Sequence, residues 1–314
     1  MTVRYAFMGT PEFATIVLNH LEAASMSPSL VITQPDRPRG RGRKLAAPPV
    51  ALWAKERGIQ LIQPTSCRDE ALIAALDELR PEVIVTASFG QYLPASILTL
   101  PKKGCLNVHA SLLPKYRGAS PIQSAIMAGE EETGVTLMLM DKGIDTGPML
   151  AHARHRIDDE INAGALNFAL AELGGALIVR ELPRYLAGEL VPVEQDEAMA
   201  TVTRRLRKCD GCIDFRRSAR AVHNHIRAVS PWPGAYAFLD GKRYKLLRAR
   251  LHDCDGHPCG EPGEISVRSE RMFISCVDGV IELLDIQPQS GVAMHVSECA
   301  HNFDCGAIFS NMEE

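Results

Sequence analysis

The feature that most restricts this chain is its opening: an apolar strand at residues 3–8, the turn Gly9-Thr10-Pro11, and an amphipathic helix from 12 to about 24. A strand that is apolar on both faces must be covered on both, which is how a doubly wound, mostly parallel α/β sheet is built. The alternation continues through strands at 30–33, 60–62, 83–87, 105–108, 133–140 and 150–157, with helices at 49–57, 69–79 and 162–186. Residues 1–188 therefore read as one α/β domain. The first turn lacks the G-x-G-x-x-G spacing that cradles a pyrophosphate, so NAD is not indicated. Residues 34–49 are too polar and too rich in Gly and Pro for regular structure. They read as a loop in which Arg37, Arg39, Arg41, Arg43 and Lys44 oppose only Asp36, a net +4.

Residues 189–203 are polar and aperiodic, which predicts a linker. From 204 to 314 the pattern changes to helices at 204–208 and 218–229, then short strands at 236–239, 244–251, 263–267, 272–275 and 280–284. Short strands at close spacing with Gly-rich turns predict a small β-barrel. Charge is segregated in the same region. Residues 201–250 hold 13 Lys and Arg against 3 Asp and Glu, whereas residues 251–314 hold 2 against 12. A block of that sign and density is the footprint of a polyanionic partner, unless the acidic tail folds back over it.

Nine cysteines, an odd number scattered through the chain, predict reduced thiols rather than a disulfide framework. Cys209-x-x-Cys212 and Cys254-x4-Cys259 could in principle hold zinc, but the second spacing is loose, and no metal is expected. No apolar run approaches the roughly 18 residues of a membrane span, and no leader pattern precedes the first strand, so a cytoplasmic protein is expected.

The chemistry gathers between residues 104 and 150. Asn107 and His109 are two apart on a predicted strand and share a face, and Asp145 follows a second strand in the turn Gly143-Ile144-Asp145-Thr146-Gly147. A carboxylate beside an imidazole fixes its tautomer. A neutral amide nearby can stabilise an oxyanion without titrating. The same residues also have structural readings: Asn107 satisfying a buried backbone group, His109 capping a loop, Asp145 an ordinary turn residue.

A longer string carries a resemblance. Asn107-Val108-His109, Ser111-Leu112-Leu113-Pro114, Tyr116-Arg117-Gly118, Pro121, Glu132-Thr133-Gly134-Val135-Thr136 and Asp145-Thr146-Gly147 resemble the formyltransferase family that uses 10-formyltetrahydrofolate. Gly9-Thr10-Pro11-Glu12-Phe13-Ala14, the basic loop and Pro231-Trp232-Pro233-Gly234-Ala235 resemble the branch that acts on initiator tRNA charged with methionine. The resemblance implies that Asn107, His109 and Asp145 are catalytic and that Ser111, Leu112, Leu113 and Pro114 line the folate site. Ser88-Phe89-Gly90 would form a wall of the pterin pocket. Arg41, with Arg39, Arg43 and Lys44, would contact the tRNA acceptor arm, and the C-terminal barrel would be OB-like. Cys209-Asp210-Gly211-Cys212-Ile213-Asp214-Phe215 departs from the Glu-Gly-x-Ile-Asp-Trp run usual there. The tail after Gln287 resembles the family's ending only faintly.

On this reading Asn107 donates to the formyl oxygen, His109 serves as donor or proton shuttle, and Asp145 holds His109. Ser111 and Cys105 are nucleophiles on paper, but neither has an evident base besides His109. Two other readings compete: a formyltransferase for a small amine, such as a nucleotide sugar or glycinamide ribonucleotide, and a non-catalytic tRNA-binding relative.

Overall fold

A computed structural model describes residues 3–40, 42, 44–252 and 260–311. The chain divides into two compact units. The first comprises residues 1–118, 133–155 and 167–202, and the second comprises 119–132, 156–166 and 203–314. Two segments from the middle of the sequence thus cluster with the C-terminal one, because helix 121–128 packs on helix 219–228.

In the first unit, strands β1 (Tyr5–Gly9), β2 (Leu30–Ile32), β5 (Gln60–Ile62), β6 (Val83–Ala87) and β7 (Cys105–His109) pair in parallel in the order β7-β6-β1-β2-β5. All five residues of β1 are buried, as a central strand covered on both faces requires. Ala6 and Met8 face a cluster with Leu72, Leu76 and Ile97, from helices α3 (Glu70–Leu79) and α4 (Ala95–Leu98). Helices α1 (Glu12–Ala23) and α6 (Ala163–Leu186) cover the other face. Gly174 of α6 comes so close that an added Cβ would lie 2.7 Å from Val108 Cγ1, 3.4 Å from Val135 Cγ1 and 3.8 Å from Phe13 Cζ.

The structure adds detail to some sequence expectations and changes others. Strand β9 (Glu132–Leu139) runs antiparallel to β7, pairing Leu106 with Leu139 and His109 with Thr136, and β10 (Met149–Arg156) follows it at the sheet edge. The loop after β9 therefore starts level with Cys105, at the amino end of β7, and must return along the sheet to reach its carboxyl end. Residues 34–49 are not wholly irregular: β3 (Arg37–Arg39) and β4 (Lys44–Ala46) pair antiparallel around Gly40 at φ +73°. A hairpin ladder needs only backbone groups and a residue free to take positive φ, so polar composition does not forbid it.

Helix α6 is long and apolar enough by length and composition to cross a membrane, which no contiguous run in the sequence foretold. Its buried Leu170, Ala171, Leu177, Ile178 and Leu182 interleave with exposed Glu172 and Arg180, the amphipathic stripe of a helix laid on a core. Residues 204–208 are not α-helical either. The Asp210 carboxylate takes two bonds from the Arg204 guanidinium (2.7 and 2.6 Å) and one from the Arg207 N–H (2.6 Å), which folds the segment into a 3-10 turn at Lys208–Gly211.

In the second unit, six antiparallel strands include Tyr236–Leu239, Lys242–His252, Ile265–Arg268, Arg271–Ser275 and Val280–Pro288. Helix α7 (Ala219–Ala228) buries Val222 and Ile226 among Ile213, Phe215, Leu246, Ile274, Ile281, Leu283 and Phe309. The sheet closes through the faintly matching tail. Ser310 bridges Phe238 on one edge strand, while Ile308 bridges Glu264 at the start of the other. Of the basic block, Arg248 and Arg250 pair with Asp285 and Glu282 from the acidic tail. Arg204, Arg216 and Arg220 pair with Asp210, Asp214 and Asp159. Arg205, Arg207, Lys208, Arg217, Lys242 and Lys245 have no ion pair among the described residues, and Arg243 lies over the Tyr236 ring at 3.9 Å.

Candidate active site

The structure brings Asn107, His109 and Asp145 together at the carboxyl end of β7. Asn107 Nδ2 donates to Asp145 Oδ1 at 3.3 Å, and His109 Nδ1 stands 3.5 Å from Asp145 Oδ2. The second distance is a close polar contact, long for a hydrogen bond. The short bond to the carboxylate comes instead from the Gly118 N–H, at 2.8 Å from Oδ2. His109 Nε2 lies 3.1 Å from the Tyr116 carbonyl, which can only accept, so that nitrogen carries a hydrogen and Nδ1 faces the carboxylate. His109 is buried and the Asp145 side chain is only 16% exposed. Thr86 Oγ1, on the neighbouring β6, shares its hydroxyl between Asn107 Oδ1 (2.9 Å) and the Leu106 carbonyl (3.0 Å), fixing which way the amide points.

Two residues here hold left-handed backbone: Asp145 at φ +54° and Tyr116 at φ +61°. Asp tolerates that region through its short polar side chain, whereas a bulky residue is held there only by its surroundings. The Tyr116 N–H donates to Thr201 Oγ1 at 2.7 Å and the Arg117 N–H to the Thr201 carbonyl at 2.9 Å. The segment expected to be a linker thus lies against the first unit. Met149 and Val193 form a bridge, and Gln195, Glu197 and Thr201 all bond to the site's loops. Sequence reasoning missed Thr86, Gly118 and this strap. Their roles rest on side-chain and backbone groups that meet only in the fold.

Ser111, Leu112, Leu113 and Pro114 follow β7 directly, with a cis Leu113–Pro114 peptide. Ser111 Oγ is spent on the Lys115 carbonyl (2.7 Å), and Thr136 Oγ1 ties the loop by donating to the Ser111 carbonyl (2.7 Å) and accepting from the Leu113 N–H (3.1 Å). Cys105 is buried and its thiol is pushed up to about 12 by that burial. Neither is placed as a nucleophile. A cleft of about 320 Å³ opens at the ends of β2, β5 and β6, lined by Gln34, Arg37, Ser66, Arg68, Gln91 and Tyr92. The Tyr92 hydroxyl donates to the Lys142 carbonyl at 3.2 Å, joining its wall to the loop that carries Asp145.

Of the basic loop, Lys44 is exposed in β4 and Arg39 lies in β3, while Arg41 and Arg43 lie outside the described residues. So do Cys254 and Cys259. Cys209 is exposed and Cys212 donates its thiol to the Asn311 carbonyl at 3.2 Å. Among the described residues no group of three or more His, Cys, Asp or Glu stands together as a metal site.

The formyl transferase family model matches residues 3–182, and the model of the formyl transferase C-terminal domain matches residues 205–304. The methionyl-tRNA formyltransferase of Caldanaerobacter subterraneus subsp. tengcongensis is 41% identical over 309 residues, covering 98% of this chain and 99% of that one. The chain belongs to the methionyl-tRNA formyltransferase family. A second methionyl-tRNA formyltransferase, from Geobacter sulfurreducens, is 42% identical over 302 residues, 96% of this chain and 94% of its own. Among solved structures, the Helicobacter canadensis N-formyltransferase in complex with folinic acid and dTDP-3-aminofucose shares the fold. It has a TM-score of 0.69 and 21% identity, over 90% of this chain and 98% of that one.

Proposed function

We propose that the protein transfers a formyl group from 10-formyltetrahydrofolate to the α-amino group of methionine esterified to initiator tRNA. The observation that carries this is the family membership over nearly the full length, joined to the Asn107, His109 and Asp145 cluster. The cleft residues fit such a donor: the amides of Gln34 and Gln91 and the Tyr92 ring suit a flat heterocycle, and Arg37 and Arg68 suit carboxylates. Ser111, Leu112, Leu113 and Pro114 do not border that cleft; the family resemblance is what gives them to the donor's site, through backbone and apolar contacts. The folate, when bound, supplies the formyl carbon from its N10.

Asn107 Nδ2 donates to the formyl oxygen as negative charge develops there, its orientation set by Thr86. His109 takes the proton from the attacking amine at Nδ1, the nitrogen that faces Asp145, and gives it up to N10 of the folate as the bond from N10 to the formyl carbon breaks. Asp145, anchored by the Gly118 N–H, holds the imidazole in place. Catalysis falls to the N-terminal domain, residues 1–188. Arg39, Arg41, Arg43 and Lys44 grip the acceptor arm, and the barrel of residues 204–314 holds tRNA backbone through its unpaired cations. Neither a membrane nor an obligate protein partner is part of this reading, and the cytoplasm is where its substrates meet.

The test is formyl transfer to charged initiator tRNA. Asn107→Ala is expected to lower kcat by roughly 100- to 1000-fold, and near-normal turnover would remove its role. Arg41→Ala should raise KM for tRNA and leave KM for the folate unchanged. An enzyme indifferent both to that change and to added salt acts on a small amine instead.

A further inference from the structure

Gln195 is buried, and every donor of its amide is committed to the turn that carries Asp145. Nε2 donates to the Asp145 carbonyl at 2.8 Å and to the Gly147 carbonyl at 2.7 Å, while Oε1 accepts from Arg117 Nε at 2.9 Å. Two acceptors on one side and a donor on the other leave the amide a single orientation. Arg117 is itself buried and fixed by a two-pronged pair with Glu197, Nη1 to Oε2 at 2.9 Å and Nη2 to Oε1 at 2.7 Å. The next residue, Gly118, supplies the 2.8 Å bond to the Asp145 carboxylate.

Asp145 is thus gripped at both ends, by Gln195 at its carbonyl and by Gly118 at its side chain, while its φ stands at +54°. An aspartate tolerates the left-handed region without preferring it, so the two bonds from Gln195 help decide which backbone conformation this turn keeps. Without the Gln195 amide, two inward-facing carbonyls lose their donor and the residue is free to relax toward negative φ. That rotation carries the carboxylate away from Asn107 and His109.

We infer that Gln195 is a positioning residue for formyl transfer, acting through the backbone of Asp145 rather than on substrate. The inference rests on the role given to Asp145 above. It predicts a loss in kcat with little change in either KM, because the buried Gln195 amide is wholly spent on Arg117, Asp145 and Gly147. A displacement of about 1 Å at a reacting group is enough for roughly 10- to 100-fold.

The experiment is a double-mutant cycle of Gln195→Leu and Asp145→Asn on the full chain, with kcat and both KM values measured on folded enzyme. If Gln195 works through Asp145, the double variant falls within about twofold of Asp145→Asn alone. Gln195→Glu, which keeps the shape and the acceptor for Arg117 but has no donor, takes the place of Gln195→Leu if the latter fails to fold. Multiplying losses in the cycle, or a Gln195 variant with unchanged kcat beside an impaired Asp145→Asn, overturns the inference while leaving the site intact. Full turnover in Asp145→Asn instead sinks the reading of the site itself, and this inference with it.

Discussion

Gly174→Ala tests how rigidly β7, the strand of Asn107 and His109, is seated. The new Cβ would sit 2.7 Å from Val108 Cγ1, where ordinary carbon contacts lie at about 3.5–4.0 Å, an overlap of roughly 1 Å. Val108 is β-branched and stiff at χ1, and Val135 Cγ1 at 3.4 Å narrows the sideways escape. The strand cannot yield freely either, since Val108 pairs with Leu137, and Asn107 with Thr86 and Met138. Alanine in a helix interior gains about 0.5–1 kcal/mol over glycine, whereas overpacking a core costs about 1–3 kcal/mol. The net expectation is a destabilisation of about 1–2 kcal/mol, smaller than most residues' burial but concentrated between Asn107 and His109. A shift of about 1 Å there predicts roughly a 100-fold fall in kcat/KM. Thermal unfolding and formyl transfer measured side by side provide the assay, with Gly174→Ala/Val108→Ala as the relief variant. That pair should transfer faster than Gly174→Ala alone. A Gly174→Ala enzyme with undiminished Tm and kcat/KM would refute the reasoning.

Two further outcomes follow from ionisation. Glu282 is buried between Arg271 and Arg250, and the Arg271 hydrogen bond chiefly holds its carboxyl at about 2, against 4.5 for a free glutamate. Because the folded value is depressed, its contribution is complete above pH 4.5 and is lost as pH falls toward 2. Both arginines are about half exposed, so screening reduces a ceiling of about 3 kcal/mol to about 1–2 kcal/mol. Urea unfolding of wild type and Glu282→Gln should differ by that amount at neutral pH and converge in acid; a pH-independent gap contradicts it. Burial pushes the Cys67 and Cys105 thiols up to about 11 and about 12, while Cys209 and Cys305 are exposed. Iodoacetamide at mildly alkaline pH should label the exposed pair first, as read by peptide mass, and comparable native labelling of Cys105 would contradict its burial.

Much of the fold was legible because its signals are local. The apolar run of β1 demands cover on both faces, and the short strands after residue 236 demand a barrel. That Asn107 and His109 share one strand face was legible for the same reason, and the structure brings Asp145 to them. What escaped was set by partners far along the chain. Gln195 sits in a polar, aperiodic stretch, and its burial is dictated by two carbonyls about fifty residues upstream. The antiparallel course of β9 leaves no mark on its own side-chain alternation, which is the same for either direction. At 204–208, helical propensity lost to one carboxylate, Asp210, that offers the backbone and Arg204 a better arrangement.

The tail segment at residues 307–310 is the last piece of chain to be synthesised among those that complete the barrel wall. Until it emerges from the ribosome, the strands beginning at Tyr236 and Ile265 present bare edges able to pair with any extended peptide nearby. Removing residues from Ile308 onward would therefore leave a sticky, half-open domain, and chains cut short there should aggregate.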